Sequence, residues 1–229
     1  MTTDINRYGE KARFLDPKND VVFKKIFGSD NHHEALIEFL NSVLELPEPI
    51  ESVKLRDPFQ TPFVKGLKGT VLDVYASSPH HEFMVEMQVE SDISFAKRIF
   101  YYVSKTYVNQ LDSGEDYALI RPVVFLGVMN FNFFKRDNDR PIRRHVIMDK
   151  HLYQQDFKEF DFNFIELLKF RKKEDELVTA TDKWLFFLKH ASQHQEVPKW
   201  ADSKGLKAAY ATAEKHNWTK KELESYDYW

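Results

Sequence analysis

Apolar residues recur along this chain in two rhythms, and each change of rhythm marks an element. Over 33–44, Leu36, Phe39, Leu40, Val43 and Leu44 recur at helical spacing before Pro47 and Pro49 stop the run. A shorter helix is predicted just before it, with Asp20 as the capping residue, Val21, Val22, Ile26 and Phe27 as its apolar positions and Gly28 as its C-terminal glycine. The stretch 93–110 contains neither Gly nor Pro and follows a cap signal at Ser91-Asp92. Phe95, Ile99, Tyr102, Val103 and Thr106 define one face of this third helix, and Lys97, Arg98 and Lys105 are predicted to project from other parts of the turn.

The other rhythm has a period of two or none. Weak strand character between Ile50 and Phe63, interrupted by Pro58 and Pro62, predicts an edge strand. Val71–Tyr75 and Phe83–Glu90 each read as a strand, and the turn residues Ser77-Ser78-Pro79-His80-His81 between them predict an antiparallel hairpin. Pro122–Met129 is almost continuously apolar, as expected of a strand buried on both faces. A helix lying between two strands is the mark of an α/β unit. Arg143–Met148 predicts a further strand, and the remainder reads as helices at 164–170, 181–193, 203–216 and 219–226, the last with Thr219 and Glu222 at capping-box spacing. The division expected is a core over 1–150 and a helical extension over 151–229.

Composition narrows the class without naming a function. The 229 residues, 42% hydrophobic and 30% charged, suit one large domain or one domain with a helical addition. Twenty Phe, ten Tyr and four Trp predict an aromatic core, and the absence of Cys excludes disulfides, a thiol nucleophile and Cys-ligated metal sites. No apolar run is long enough for a membrane span and the polar N-terminus has no signal-peptide core, so no membrane partner and a cytoplasmic location are expected. A formal charge of −3 neither supports nor excludes DNA, because a local basic patch is felt only within about 10 Å at ordinary salt.

The candidate chemistry lies on the hairpin. Acids are poor choices for the middle of a strand unless something binds them. Asp73 occupies that place in the first strand, with Val71 and Tyr75 on its face; in the second, Glu86, Gln88 and Glu90 share one face and Val85, Met87 and Val89 the other. If the strands pair, two carboxylates and an amide converge, a donor set suited to Mg2+ or Mn2+. The competing reading is a solvated or salt-bridged pair of acids on an open sheet face.

The order helix, Asp73 strand, Glu86-Met87-Gln88 strand, helix, strand resembles the PD-(D/E)XK nuclease core. More narrowly, Asp20–Gly28, Glu38–Leu44, Leu72-Asp73-Val74, Val85–Gln88, Arg98–Tyr102 and Gly114–Tyr117 are similar to the Rpn group, recombination-promoting nucleases often labelled transposases. The match covers residues 14–134, with an echo at 221–226. It implies a restriction-endonuclease-like α/β fold, a central mixed sheet flanked by helices with a helical C-terminal part. It further implies cleavage of DNA with Mg2+ or Mn2+, with Asp73 and Glu86 as ligands and Gln88, usual in the Rpn group where the motif carries Lys, as the catalytic residue that positions the water. Leu72 stands where the motif name has Pro. The superfamily commonly adds a helix acid, for which Glu38 and Asp20 are both candidates; Lys24, Lys68, Arg98 and Tyr102 are candidates for DNA contact, and cutting both strands would suit a homodimer. The alternatives are a catalytically inactive homologue that binds DNA or protein, and a helical adaptor formed by 160–229. Two further patterns read most simply as structural: His190 and His194 at a zinc-like spacing without a third ligand, and Arg136, Arg140, Arg143 and Arg144 interleaved with aromatics in a solvated loop.

Overall fold

The structure, a computed structural model, describes residues 12–29, 33–60, 70–134 and 139–228, and the chain divides into two units, 1–42 with 172–229 and 43–171. In chain order the elements are α1 (Asp20–Phe27), α2 (His33–Val43), β1 (Lys54–Leu55), β2 (Phe59–Gln60), β3 (Thr70–Val71), β4 (Val74–Ser77), β5 (Glu82–Gln88), α3 (Phe95–Val108), β6 (Val123–Met129), β7 (Ile142–Val146), β8 (Phe160–Glu166), α4 (Ala180–His190), α5 (Lys204–Ala213) and α6 (Lys220–Asp227).

The unit 43–171 is built on a six-stranded mixed sheet in the order β1-β4-β5-β6-β8-β7. The hairpin β4–β5 is antiparallel, β5, β6 and β8 are parallel, and β7 closes one edge antiparallel to β8. Helix α3 makes the crossover from β5 to β6, as a parallel pair requires. Its Phe95, Ile99 and Val103 pack with Met84, Phe125, Phe162 and Phe164, so the even-numbered residues of β5 share the face that α3 covers. That face is apolar at Met84 and polar at Glu86 and Gln88, next to the carboxyl end of the strand, where open α/β sheets characteristically bind ligands. Opposite Glu86, Gly127 leaves room for rings: a Cβ there would stand 3.0 Å from Phe125 Cε1 and 3.4 Å from Phe164 Cδ1.

The unit 1–42 with 172–229 is helical. Phe27 and Phe39 lie 4.9 Å apart and Phe39 and Trp184 5.4 Å apart, ring centre to ring centre, forming the aromatic core that the composition predicts. Glu38 on α2 accepts hydrogen bonds from Trp184 Nε1 at 3.1 Å, from Gly205 N at 2.9 Å and from the Ser203 hydroxyl, which tie α2 to α4 and to the first turn of α5. A Cβ at Gly205 would sit 2.8 Å from Glu38 Cβ and 2.9 Å from the Glu34 carbonyl oxygen, so this approach needs glycine.

The α/β class, the mixed sheet, the hairpin and the helical C-terminal region agree with the restriction-endonuclease-like expectation. Four local readings are corrected. The predicted helix at 164–170 begins as strand β8, because Phe160, Phe162 and Phe164 alternate with period two; only Leu167–Lys169 makes a helical turn, of 3-10 type. The strand read as Val71–Tyr75 breaks at Leu72-Asp73, where β3 leaves to pair with β2 and Leu72 N donates to the Pro58 carbonyl at 3.0 Å. Helix α1 is capped by Asn19, whose side chain accepts from Val21 N and Val22 N, and Asp20 is already inside the helix. Lys105 is 8% exposed, with Nζ 3.5 Å from Thr70 Oγ1, and burial lowers the pKa of its ammonium group.

Candidate functional site

Val74 pairs with Val85, which sets Asp73 beside Glu86 where β4 begins and β5 nears its end. The two acids brace each other's strands. Met87 N donates to Asp73 Oδ2 at 2.8 Å, and Asp73 N donates to Glu86 Oε1 at 3.3 Å. Glu86 is only 7% exposed and Asp73 half-buried, so two hard oxygen donors are held in a place of restricted solvation.

Helix α3 brings a cation and a phenol to the same face. Arg98 Nη2 donates to Gln88 Oε1 at 2.7 Å and Nη1 to Asp92 Oδ2 at 3.1 Å. Asp92 is fixed in turn by Ser94, whose N–H lies 2.8 Å from Oδ1; these hydrogen bonds, with the nearby Arg98 charge, hold the carboxyl below the usual carboxylate range. Gln88 Nε2 donates to the Glu90 carbonyl at 3.0 Å, so both ends of its amide are engaged. Tyr102, one turn beyond Arg98, has its phenol pKa raised, first by burial and then by the charge of Glu86; Arg98 opposes the shift and Asp73 adds to it. Those charges place Tyr102 in the same cluster.

The sequence model for PD-(D/E)XK nuclease family transposases matches residues 17–228. The chain belongs to that family. No curated protein and no solved structure gives a significant match. The family match runs well beyond the 14–134 read from motifs and takes in the helices α4, α5 and α6.

For a PD-(D/E)XK family protein the implied ion is Mg2+ or Mn2+. The donor chemistry here fits it: Asp73, just before β4, and Glu86 on β5 are neighbours whose carboxylates each accept a backbone N–H from the other's segment, and such ions bind through one or two carboxylates together with water and substrate phosphate. Among the described residues no group of three or more His, Asp or Glu side chains gathers as a metal site.

The remaining candidates are placed as follows. Glu38 and Asp20 belong to the helical unit, where Glu38 holds the α2–α4–α5 junction and Asp20 pairs with Lys24 at 2.8 Å, one turn along α1. Lys68 and Arg136 lie outside the described residues. On β7, Arg143 stands 4.7 Å over the Phe134 ring and 3.5 Å from the buried Glu166, and Arg144 donates to the Val43 carbonyl at 2.8 Å, so both have structural partners. His190 ends α4, whereas His194 lies beyond it with Nδ1 2.7 Å from Tyr210 Oη; the pair therefore does not share one helix.

Two residues were not singled out by sequence reasoning. Asp92 was visible as a cap signal, but its ion pair with Arg98 spans six positions across the helix start, a spacing that belongs to no helical rule. Glu82 lies on the same strand face as Glu86 at the other end of β5, 1% exposed and paired with Arg121 Nη2. Burial pushes its carboxyl up, while Arg121, Tyr75 and Arg56 pull it down.

Proposed function

We propose that this protein is a metal-dependent DNA endonuclease that hydrolyses phosphodiester bonds in the service of recombination or a mobile element. The observation that carries the reading is the placement of Asp73 beside Glu86 across the β4–β5 hairpin, each carboxylate bonded to the other's segment, in a chain that belongs to a nuclease family. Asp73 and Glu86 would hold Mg2+ or Mn2+, an ion that when bound polarises the phosphodiester and makes a coordinated water more acidic. Burial of Glu86 keeps bulk water from screening the pair. Arg98 and Tyr102 stand on the adjoining helix face as DNA-contacting groups, with Lys24 and Lys68 as further cations for the backbone. Cutting both strands would use two copies of the chain.

The test is incubation of supercoiled plasmid with purified protein and Mn2+. The wild type is expected to nick or linearise the plasmid, a chelator to stop it, and Asp73→Asn and Glu86→Gln each to lower the rate by at least about 100-fold. Equal cleavage by the wild type and both variants would remove these residues from the mechanism.

A second reading, a family member that binds DNA without cutting it, is favoured by one specific feature. The position that carries Lys in the motif is Gln88, and its amide oxygen accepts from Arg98. Metal-independent oligonucleotide binding without cleavage would select that reading.

A further inference from the structure

The pairing of Gln88 with Arg98 bears on which residue supplies positive charge to the site. A guanidinium carries only donors and a neutral amide has one acceptor end, so the Gln88 oxygen must face Arg98. Its nitrogen is directed to the Glu90 carbonyl at 3.0 Å. An amide held at both ends has one orientation, which suits a bracket for a neighbour better than a donor for water. Arg98, in contrast, is held from two sides, by Gln88 at 2.7 Å and by Asp92 at 3.1 Å, and its side chain remains 30% exposed. Its Cζ lies 5.3 Å from the Phe95 ring centre, which adds a third support. A forked cation in that setting matches the geometry of phosphate oxygens.

We propose that Arg98 is the catalytic cation of this site, meeting the scissile phosphate in place of a strand lysine, and that Gln88 and Asp92 are positioning residues that hold it. This rests on the reading of the protein as a phosphodiesterase. In the step concerned, a water oxygen bonds to phosphorus as the bridging P–O bond breaks with its electron pair. The attacking water loses one proton to solvent and the leaving sugar oxygen gains one. Arg98 takes no proton; its N–H groups stabilise the charge that builds on the non-bridging oxygens.

A set of five proteins tests the assignment: wild type, Arg98→Ala, Gln88→Lys, the Arg98→Ala/Gln88→Lys double variant and Arg98→Lys, with thermal melting of each to separate misfolding from lost chemistry. Arg98→Ala is expected to lower kcat by about 100-fold with a smaller change in KM. Gln88→Lys, although it restores the motif, is expected to lower activity, because it removes the acceptor and sets an ammonium against the guanidinium. The double variant is expected to exceed Arg98→Ala by about tenfold, the new lysine serving once the guanidinium is gone. A gain in activity for Gln88→Lys alone, or an Arg98→Ala kcat within twofold of wild type, overturns the proposal.

The second readout is independent of cleavage. Affinity for a short DNA duplex in Ca2+ is measured across salt concentrations, and Arg98→Ala is expected to reduce the slope of log K against log salt by about 0.9, one phosphate contact. If the wild type cleaves nothing while this slope changes, the nuclease reading fails and the phosphate contact of Arg98 stands. If the wild type cleaves and the slope is unchanged, the Arg98 assignment fails alone.

Discussion

The carboxylates of Asp73 and Glu86 each hold the backbone of the other's segment: the Asp73 carboxylate accepts the N–H of Met87 at 2.8 Å, and the Glu86 carboxylate accepts the N–H of Asp73 at 3.3 Å. The strand is broken at Asp73, so no regular ladder serves these N–H groups, and the acids do so instead. The same carboxylates that make the candidate metal site also hold its two strands in register.

This dual role predicts a difference between two substitutions that would look alike in an activity assay. Asp73→Ala leaves the Met87 N–H without its acceptor and is expected to destabilise the fold by about 2 kcal/mol in urea denaturation. Asp73→Asn retains an acceptor oxygen and is expected to lose less than half as much. Equal losses would mean that the Met87 bond contributes nothing.

Glu82 predicts a pH-dependent deficit. Its carboxyl is raised by burial and pulled back down by Arg121, Tyr75 and Arg56. Removing Arg121 leaves a buried carboxylate short of its main compensation, and Arg121→Ala is expected to cost about 3 kcal/mol at neutral pH. A carboxyl raised further in the folded state opposes folding only once the unfolded chain ionises. Because the wild-type carboxyl is itself already raised, the deficit should open as pH rises through that raised folded value, above the ordinary 4.5, and shrink below it. Denaturation of wild type and variant at pH 4 and pH 8 checks the sign.

Glu222 behaves in the opposite sense. Lys25 Nζ lies 2.6 Å from its Oε1, and with the N–H and hydroxyl of Thr219 this holds the carboxyl at about 2, against an ordinary 4.5. A depressed folded-state value contributes stability above the unfolded value and loses it as pH falls through the folded one. Solvent screening makes the contribution small, since both side chains are about a third exposed. The melting-temperature difference between wild type and Glu222→Gln is expected to be constant above pH 5 and to close between pH 4.5 and 2. A difference that persists at pH 2 would contradict the assignment.

Much of this arrangement was legible in the sequence because it rests on local period. The α3 stripe, the buried run of β6 and the hairpin turn each follow from side chains within a few positions, and the hairpin alone was enough to set Asp73 against Glu86. Three things were not local. The break at Asp73 depends on β3 pairing with β2, so a period-two pattern continued across it misleads. The helix expected at 164–170 starts inside β8, because the period-two residues Phe160 and Phe162 lie ahead of that window and the pairing of β8 with β6 and β7 lies outside any window. The link from Asp92 through Arg98 to Gln88 depends on where α3 docks, and sequence spacing gives no access to that. Glu38, one of two helix acids named as candidates, has partners that no spacing rule supplies: its oxygens accept from Trp184, Ser203 and Gly205.

The central claim is that Asp73 and Glu86 act jointly as ligands of one divalent ion, and calorimetric titration of Mn2+ into wild type, Asp73→Asn, Glu86→Gln and the double variant tests it most directly. Wild type is expected to bind, each single variant to lose at least about tenfold in affinity, and the double variant to bind no more weakly than the weaker single one by any large factor, because the two residues serve one site. Mn2+ affinity that is the same in all four proteins would contradict the account.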